Sequence, residues 1–170
     1  IVTGLASFGG GTLRDILLDR RPFFWVEHQE WIWVILIMCA LALLFMRARH
    51  LEPTERSMQW PDALGLGIFA ASGTQIAITA GMPAIIAVVM GVITPVFGGV
   101  LRDVVVNEIP RAFNDHQPYA VIAFAGGWLV VALNAMNLGA FWAVSISALV
   151  MVGLRVAAIM LGWRLPTWRV

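Results

Sequence analysis

The residues best equipped for chemistry in this chain are two arginine–aspartate pairs, Arg14-Asp15 and Arg102-Asp103, each following closely on paired glycines in an otherwise apolar stretch. Charge is costly in hydrocarbon, so such residues face a bundle interior or a water-filled cavity and mark ion paths. Glycine lets a helix bend and proline removes a backbone donor. Gly9, Gly10 and Gly11, and Pro95, Gly98 and Gly99, are therefore candidate helix kinks where carbonyl oxygens can face water or an ion. Thr12, Ser72, Thr74, Gln75, Thr79 and Thr94 could complete a polar file, although hydroxyls and amides in helices more often bond their own backbone or a neighbouring helix. This set suits passage of a small ion. Catalysis has little support: His28, His50 and His116 are isolated, and neither HExxH nor Gly-x-Ser-x-Gly occurs. Cys39 is a lone thiol within the apolar run Trp31 to Met46, where it reads as inert, and it excludes a disulfide within one chain. Neither a metal nor a cofactor is expected.

The elements that must hold these residues are membrane helices. Of 170 residues, 60% are apolar and 12% charged, and the mean hydropathy is +0.84. A soluble surface needs far more charge, so the solvent is lipid. The net charge is +1 and the eleven basic residues, all arginine, are scattered, which excludes a nucleic-acid face. A span needs about 20 apolar residues. Ile1 to Leu18 supplies a partial span. Full spans follow at Trp31 to Met46, Ala63 to Ala80 (introduced by Pro61 and Asp62), Met82 to Val106, Tyr119 to Leu138 and Ala140 to Trp163. No linker divides them, so residues 1–170 form one transmembrane domain.

Arginine in short loops sets the orientation. The side holding the loop from residue 47 to 61, here side B, carries Arg47, Arg49, Arg56, Arg111, Arg164 and Arg169. Side A carries only Arg20 and Arg21. Side B and the C-terminus are therefore expected in the cytoplasm. Arg155, within the last span, is expected to snorkel to side B or to bond another helix.

An internal repeat fixes the architecture. Gly10-Gly11-Thr12-Leu13-Arg14-Asp15 through Pro22 recurs as Gly98-Gly99-Val100-Leu101-Arg102-Asp103 through Pro110, at a constant offset of 88 residues. The copies are three spans apart, an odd number, so they run in opposite directions across the bilayer. Such inverted repeats place a path at their interface, on helices interrupted by glycine or proline. Repeat one covers residues 1–50 and is incomplete, repeat two covers 61–138, and a final helix covers 140–163. A cross-repeat pairing of Arg14 with Asp103 is disfavoured, because the two motifs approach opposite faces, about 10 Å or more apart. Adjacent Arg and Asp point different ways on a helix, so each is expected to find its own local partner.

These motifs resemble the prokaryotic glycine-transporter-like membrane family, which is related to the trimeric intracellular cation channels. The resemblance rests on Gly9 to Asp15 with Pro22, Phe69-Ala70-Ala71-Ser72-Gly73, Gly98 to Asp103 with Asn107-Glu108-Ile109-Pro110, and the ending Gly162-Trp163-Arg164-Leu165-Pro166. It implies seven helices, two inverted three-helix repeats plus a final helix, in a homotrimer with a pore in each subunit. It also implies conduction of monovalent cations, chiefly potassium and possibly sodium, along the helices containing Gly9 to Asp15 and Gly98 to Asp103. The Lys-Glu-Val signature of the eukaryotic members is absent. Subtracting 88 from Phe69 to Ala77 gives positions before residue 1, so the first helix of repeat one is expected to be absent from this chain.

A multi-pass protein of the cell (inner) membrane, in contact with lipid, is thus expected. Its expected function is that of a potassium-conducting channel. The alternative is a secondary carrier of a small zwitterion such as glycine, held at half-helix ends beside the same glycines.

Overall fold

Backbone amides in lipid must be satisfied within their own segment, and long apolar runs do this by coiling into helices. The computed structural model describes residues 2–49, 55–110 and 118–163, with side chains described over 8–44, 59–110 and 118–163. Over these residues the chain forms α1 (Val2–Leu17), α2 (Phe24–Glu27), α3 (Glu30–Arg49), α4 (Glu55–Thr79), α5 (Ala84–Val105), α6 (Tyr119–Ala135) and α7 (Ala140–Met160). No strand occurs among the described residues. The protein is an all-α membrane bundle.

The ends of five of these helices show how the chain turns back without water. In α1, α5 and α6 the left-handed residue is Asp19, Asn107 or Asn137, with φ of 50°, 58° and 58°; in α4 and α7 it is Gly81 or Gly162. Each sits in the same pair of closing bonds. After α1, Arg20 N–H donates to Asp15 O at 2.8 Å and Asp19 N–H to Ile16 O at 3.1 Å. After α5, Glu108 N–H donates to Asp103 O at 2.9 Å and Asn107 N–H to Val104 O at 3.1 Å. These bonds satisfy carbonyls that would otherwise be orphaned. The two copies are again 88 residues apart, so the repeat seen in sequence extends to the backbone.

The interior is made of small residues. Ala63, Ala70, Ala71, Ala77, Ala87, Ala123, Ala143 and Ala158 are buried around Leu66, Val130 and Met151. Large apolar side chains point outward instead, among them Trp33, Leu43, Leu149 and Phe141. A soluble protein reverses this arrangement. In lipid, close backbone approach and not hydrophobic burial drives helix packing, so small residues collect inside. Helices α4, α5, α6 and α7 pack into one bundle, and α1 joins it along α5. Helix α3 meets the rest of the described structure mainly at α1 and is apolar and exposed on all sides. Ala84–Val105 and Ala140–Met160 are long and apolar enough to cross a membrane.

Helices α1 and α5 are helical through Gly9 to Gly11 and through Pro95 to Gly99, and Pro95 removes one backbone donor within α5. Two expectations need correction. Helix α4 starts at Glu55, well before Pro61, which lies inside it; Arg56 is thus helical and Arg47 and Arg49 end α3, while Arg111, Arg164 and Arg169 lie outside the described residues. The loop on side A holds a one-turn helix, α2, that hydropathy could not show. Of the isolated histidines, His28 pairs with Glu30 at 3.3 Å, and His50 and His116 lie outside the described residues.

Candidate ion pathway

The two copies of the glycine motif meet each other. A Cβ on Gly10 would overlap the Thr94 carbonyl oxygen and stand 3.0 Å from Gly98 N. Gly10 and Gly98 are equivalent residues, so the crossing of α1 and α5 lies on the axis that relates the repeats. Only glycine permits this approach. Helix α4 locks onto α5 by a reciprocal arrangement just beside it. A Cβ on Gly73 would lie 2.6 Å from Thr94 Oγ1, and one on Gly91 would overlap Thr74 Oγ1. Gly127 of α6 approaches the same Thr74 hydroxyl, its Cβ position 3.2 Å away.

Both threonine hydroxyls are committed to their own helices. Thr74 donates to Ala70 O at 2.9 Å and Thr94 to Met90 O at 2.8 Å. Ser72 donates to Phe69 O at 3.3 Å and Thr79 to Gln75 O at 3.0 Å. Pro95 has no N–H, so the Gly91 carbonyl lacks its usual helical donor. Gln75 is bound across helices, accepting from Asn134 at 2.7 Å.

The Arg–Asp pairs lie on either side of the crossing. Four to five residues of helix, about 7 Å at roughly 1.5 Å per residue, separate each from it, so the two stand on the order of 13 Å apart. Adjacent Arg and Asp are expected to diverge; instead, within each motif the arginine binds the adjacent aspartate. Arg14 donates to Asp15 Oδ1 through Nε at 2.9 Å and Nη2 at 2.7 Å, and Arg102 Nε donates to Asp103 Oδ1 at 2.8 Å. The arginine arm is long enough to curl around the helix, and in a dry site the nearest carboxylate is the strongest acceptor.

The environments of the two pairs differ. The Arg14 and Asp15 side chains are 5% and 0% exposed, whereas Arg102 is 31% and Asp103 3% exposed. On side A, α2 folds over the end of α1. Phe24 N–H donates to Asp15 Oδ2 at 3.0 Å, and its ring fills the space beside Gly11 and faces the Arg14 guanidinium at 5.8 Å. Trp25 Nε1 donates to Thr12 Oγ1 at 3.1 Å, and Thr12 in turn donates to Phe8 O at 2.8 Å. Thr12 is therefore an anchor for the aromatic cap. Gly9 packs against Leu101; Gly99, by contrast, has no neighbour nearer its Cβ position than Arg102 Nη2 at 4.0 Å among the described residues.

Sequence reasoning missed a second polar cluster on side B. Arg155 of α7 is buried, 3% exposed, and so does not snorkel; it faces side chains of two other helices. Its Nη2 stands 4.0 Å from Asp62 Oδ2 of α4, and its Cζ lies 5.1 Å from the ring centroid of Tyr119 at the start of α6. Tyr119 and Arg102 both lie near enough to Asp62 to feel its charge. In the sequence Asp62 reads only as a helix start, and Tyr119, the single tyrosine, only as the first residue of a span. Their spacing of 57 residues carries no local signal.

Of the sequence-predicted residues, the fold thus gathers Gly10, Thr74, Thr94, Pro95 and Gly98 at the crossing. It holds Arg14 and Asp15 apart on side A, and Arg102 and Asp103 apart on side B. Gly73, Gly91 and Gly127 join the crossing unforeseen.

A family model described as Glycine transporter matches residues 1–47 and 59–135. The chain is 33% identical to a UPF0126 membrane protein of Vibrio cholerae over 99% of its own length and 70% of the relative's. It is 33% identical to the UPF0126 inner membrane protein YadS of Escherichia coli, over 96% and 79%. A solved structure of a TRIC cation channel superposes with a TM-score of 0.85 at 28% identity, covering 98% of this chain and 81% of that one. The TRIC trimeric intracellular cation channel orthologue from Rhodobacter sphaeroides gives 0.82 at 32% identity, covering 94% and 80%.

Proposed function

The chain belongs to the glycine-transporter family, and on that footing we propose that it is a cation channel that conducts monovalent cations, chiefly potassium, across the inner membrane. The observation that carries this reading is the crossing of equivalent glycines Gly10 and Gly98, flanked by one charged pair toward each face, in a fold shared with cation channels. The helices touch at the crossing, so the path runs beside it, past Thr94 and the Gly91 carbonyl opened by Pro95. Carbonyl and hydroxyl oxygens replace the hydration shell of potassium at small cost. The protein works as a homotrimer with a path in each subunit, surrounded by lipid against its outward aromatic and aliphatic side chains. Its C-terminus faces the cytoplasm, the side richer in loop arginine.

Reconstitution in planar bilayers separates the readings. Single-channel currents in potassium chloride, smaller or absent in sodium chloride, are the expected result. Silence in both salts together with saturable glycine uptake into vesicles would replace the channel by a carrier.

A further inference from the structure

Arg155 is held in an unusual way. It is 3% exposed, yet its Nε and Nη1 have no hydrogen-bond partner among the described residues. Its ion pair to Asp62 spans 4.0 Å, whereas Arg14 reaches Asp15 at 2.7 Å. A charge-assisted bond is about 2.7–2.9 Å long, so Arg155 is near its carboxylate without being bonded to it. It also lies over the face of Tyr119, and an aromatic face attracts any cation. A buried guanidinium needs its donors satisfied. A bare alkali cation has no donors to satisfy, and a carboxylate beside an aromatic face and a hydroxyl oxygen meets its needs.

Asp62 is placed to receive such a cation. It is 32% exposed on side B, whereas Asp103, clamped by Arg102, is 3% exposed. Three helices converge here, α4 with Asp62, α6 with Tyr119 and α7 with Arg155. We propose that Asp62 and Tyr119 form a monovalent-cation station at the side B mouth, and that the Arg155 guanidinium is a tethered cation occupying it. The station deepens the channel reading and rests on it for its role in flux. Arrival of a permeating cation displaces the guanidinium, so the arginine limits entry when outside concentration is low.

The test uses the reconstituted full chain and two readouts, potassium flux and unfolding temperature in potassium chloride against N-methylglucamine chloride at equal concentration. Chloride is the same in both salts, so an anion at Arg155 cannot produce a difference. Arg155→Gln should raise flux about threefold at low potassium. It should also acquire a potassium-specific rise of about 3 °C that the parent lacks. Adding Asp62→Asn should abolish both gains. Arg155→Met, apolar and of similar length, is the second variant and should behave alike. No potassium-specific shift in either variant overturns the station. Failure of both to fold also overturns it, since Arg155 would then be a structural clamp. A shift without flux in any protein keeps the station and removes the channel reading.

Discussion

Equal mutations in the two copies of the repeat should have unequal effects, and the clearest pair is Asp15→Asn and Asp103→Asn. Asp15 accepts three hydrogen bonds, two from Arg14 on Oδ1 and one from Phe24 N–H on Oδ2. Asparagine has one acceptor oxygen and turns an NH2 toward the remaining donor. Whichever way it faces, at least one bond is lost and Arg14, 5% exposed, becomes a buried cation without a counter-charge. Removing one partner of a buried pair destabilises by about 3–5 kcal/mol. A surviving neutral bond offsets about 1 kcal/mol, leaving roughly 3 kcal/mol. Arg102 is 31% exposed and can turn toward water, so Asp103→Asn should cost about 1–2 kcal/mol. For a chain of this size the unfolding temperature should fall by about 9 °C for the first and about 4 °C for the second. Thermal unfolding of the detergent-solubilised protein, followed by tryptophan fluorescence, measures both. Equal falls, or a larger fall for Asp103→Asn, would refute the argument that exposure of the arginine sets the penalty.

Gly10→Ala places a methyl group on the Thr94 carbonyl oxygen and must push α1 from α5, so it should destabilise by about 2–3 kcal/mol; Gly99→Ala, with open space, should stay within about 1 kcal/mol, and an equal loss would dismiss the crossing. Single cysteines at the exposed Gln29 and Glu108, in a Cys39→Ala background, should label from opposite faces of the membrane, with Glu108 reached from the cytoplasm. Labelling of both from one face would contradict the inverted repeat.

The charged pairs illustrate where reading by sequence stops. The types Arg and Asp at an offset of 88 residues announced a symmetric device near each face. Helical geometry alone suggested that neighbours diverge, and only the folded burial of Asp15 shows why the arginine arm curls back to it. Thr12, Thr74 and Thr94 were equally visible as hydroxyls, but their role depends on which carbonyl lies closer than the path, and that is a matter of packing. Tyr119, Asp62 and Arg155 come from three different helices and shared no motif, so nothing local could join them.

Composition determined the solvent, because so apolar a chain with so few charges cannot face water. The repeat, with its copies an odd number of spans apart, determined the inverted architecture. Hydropathy located the spans, since each must be about as long as the bilayer is thick. Tertiary structure decided the rest: that Gly10 meets Gly98, that α2 seals the side A end over Asp15, and that Arg155 lies buried against Tyr119. These are contacts between residues far apart in the chain, set by close approach of small-residue faces, and short-range pattern carries no record of which faces meet.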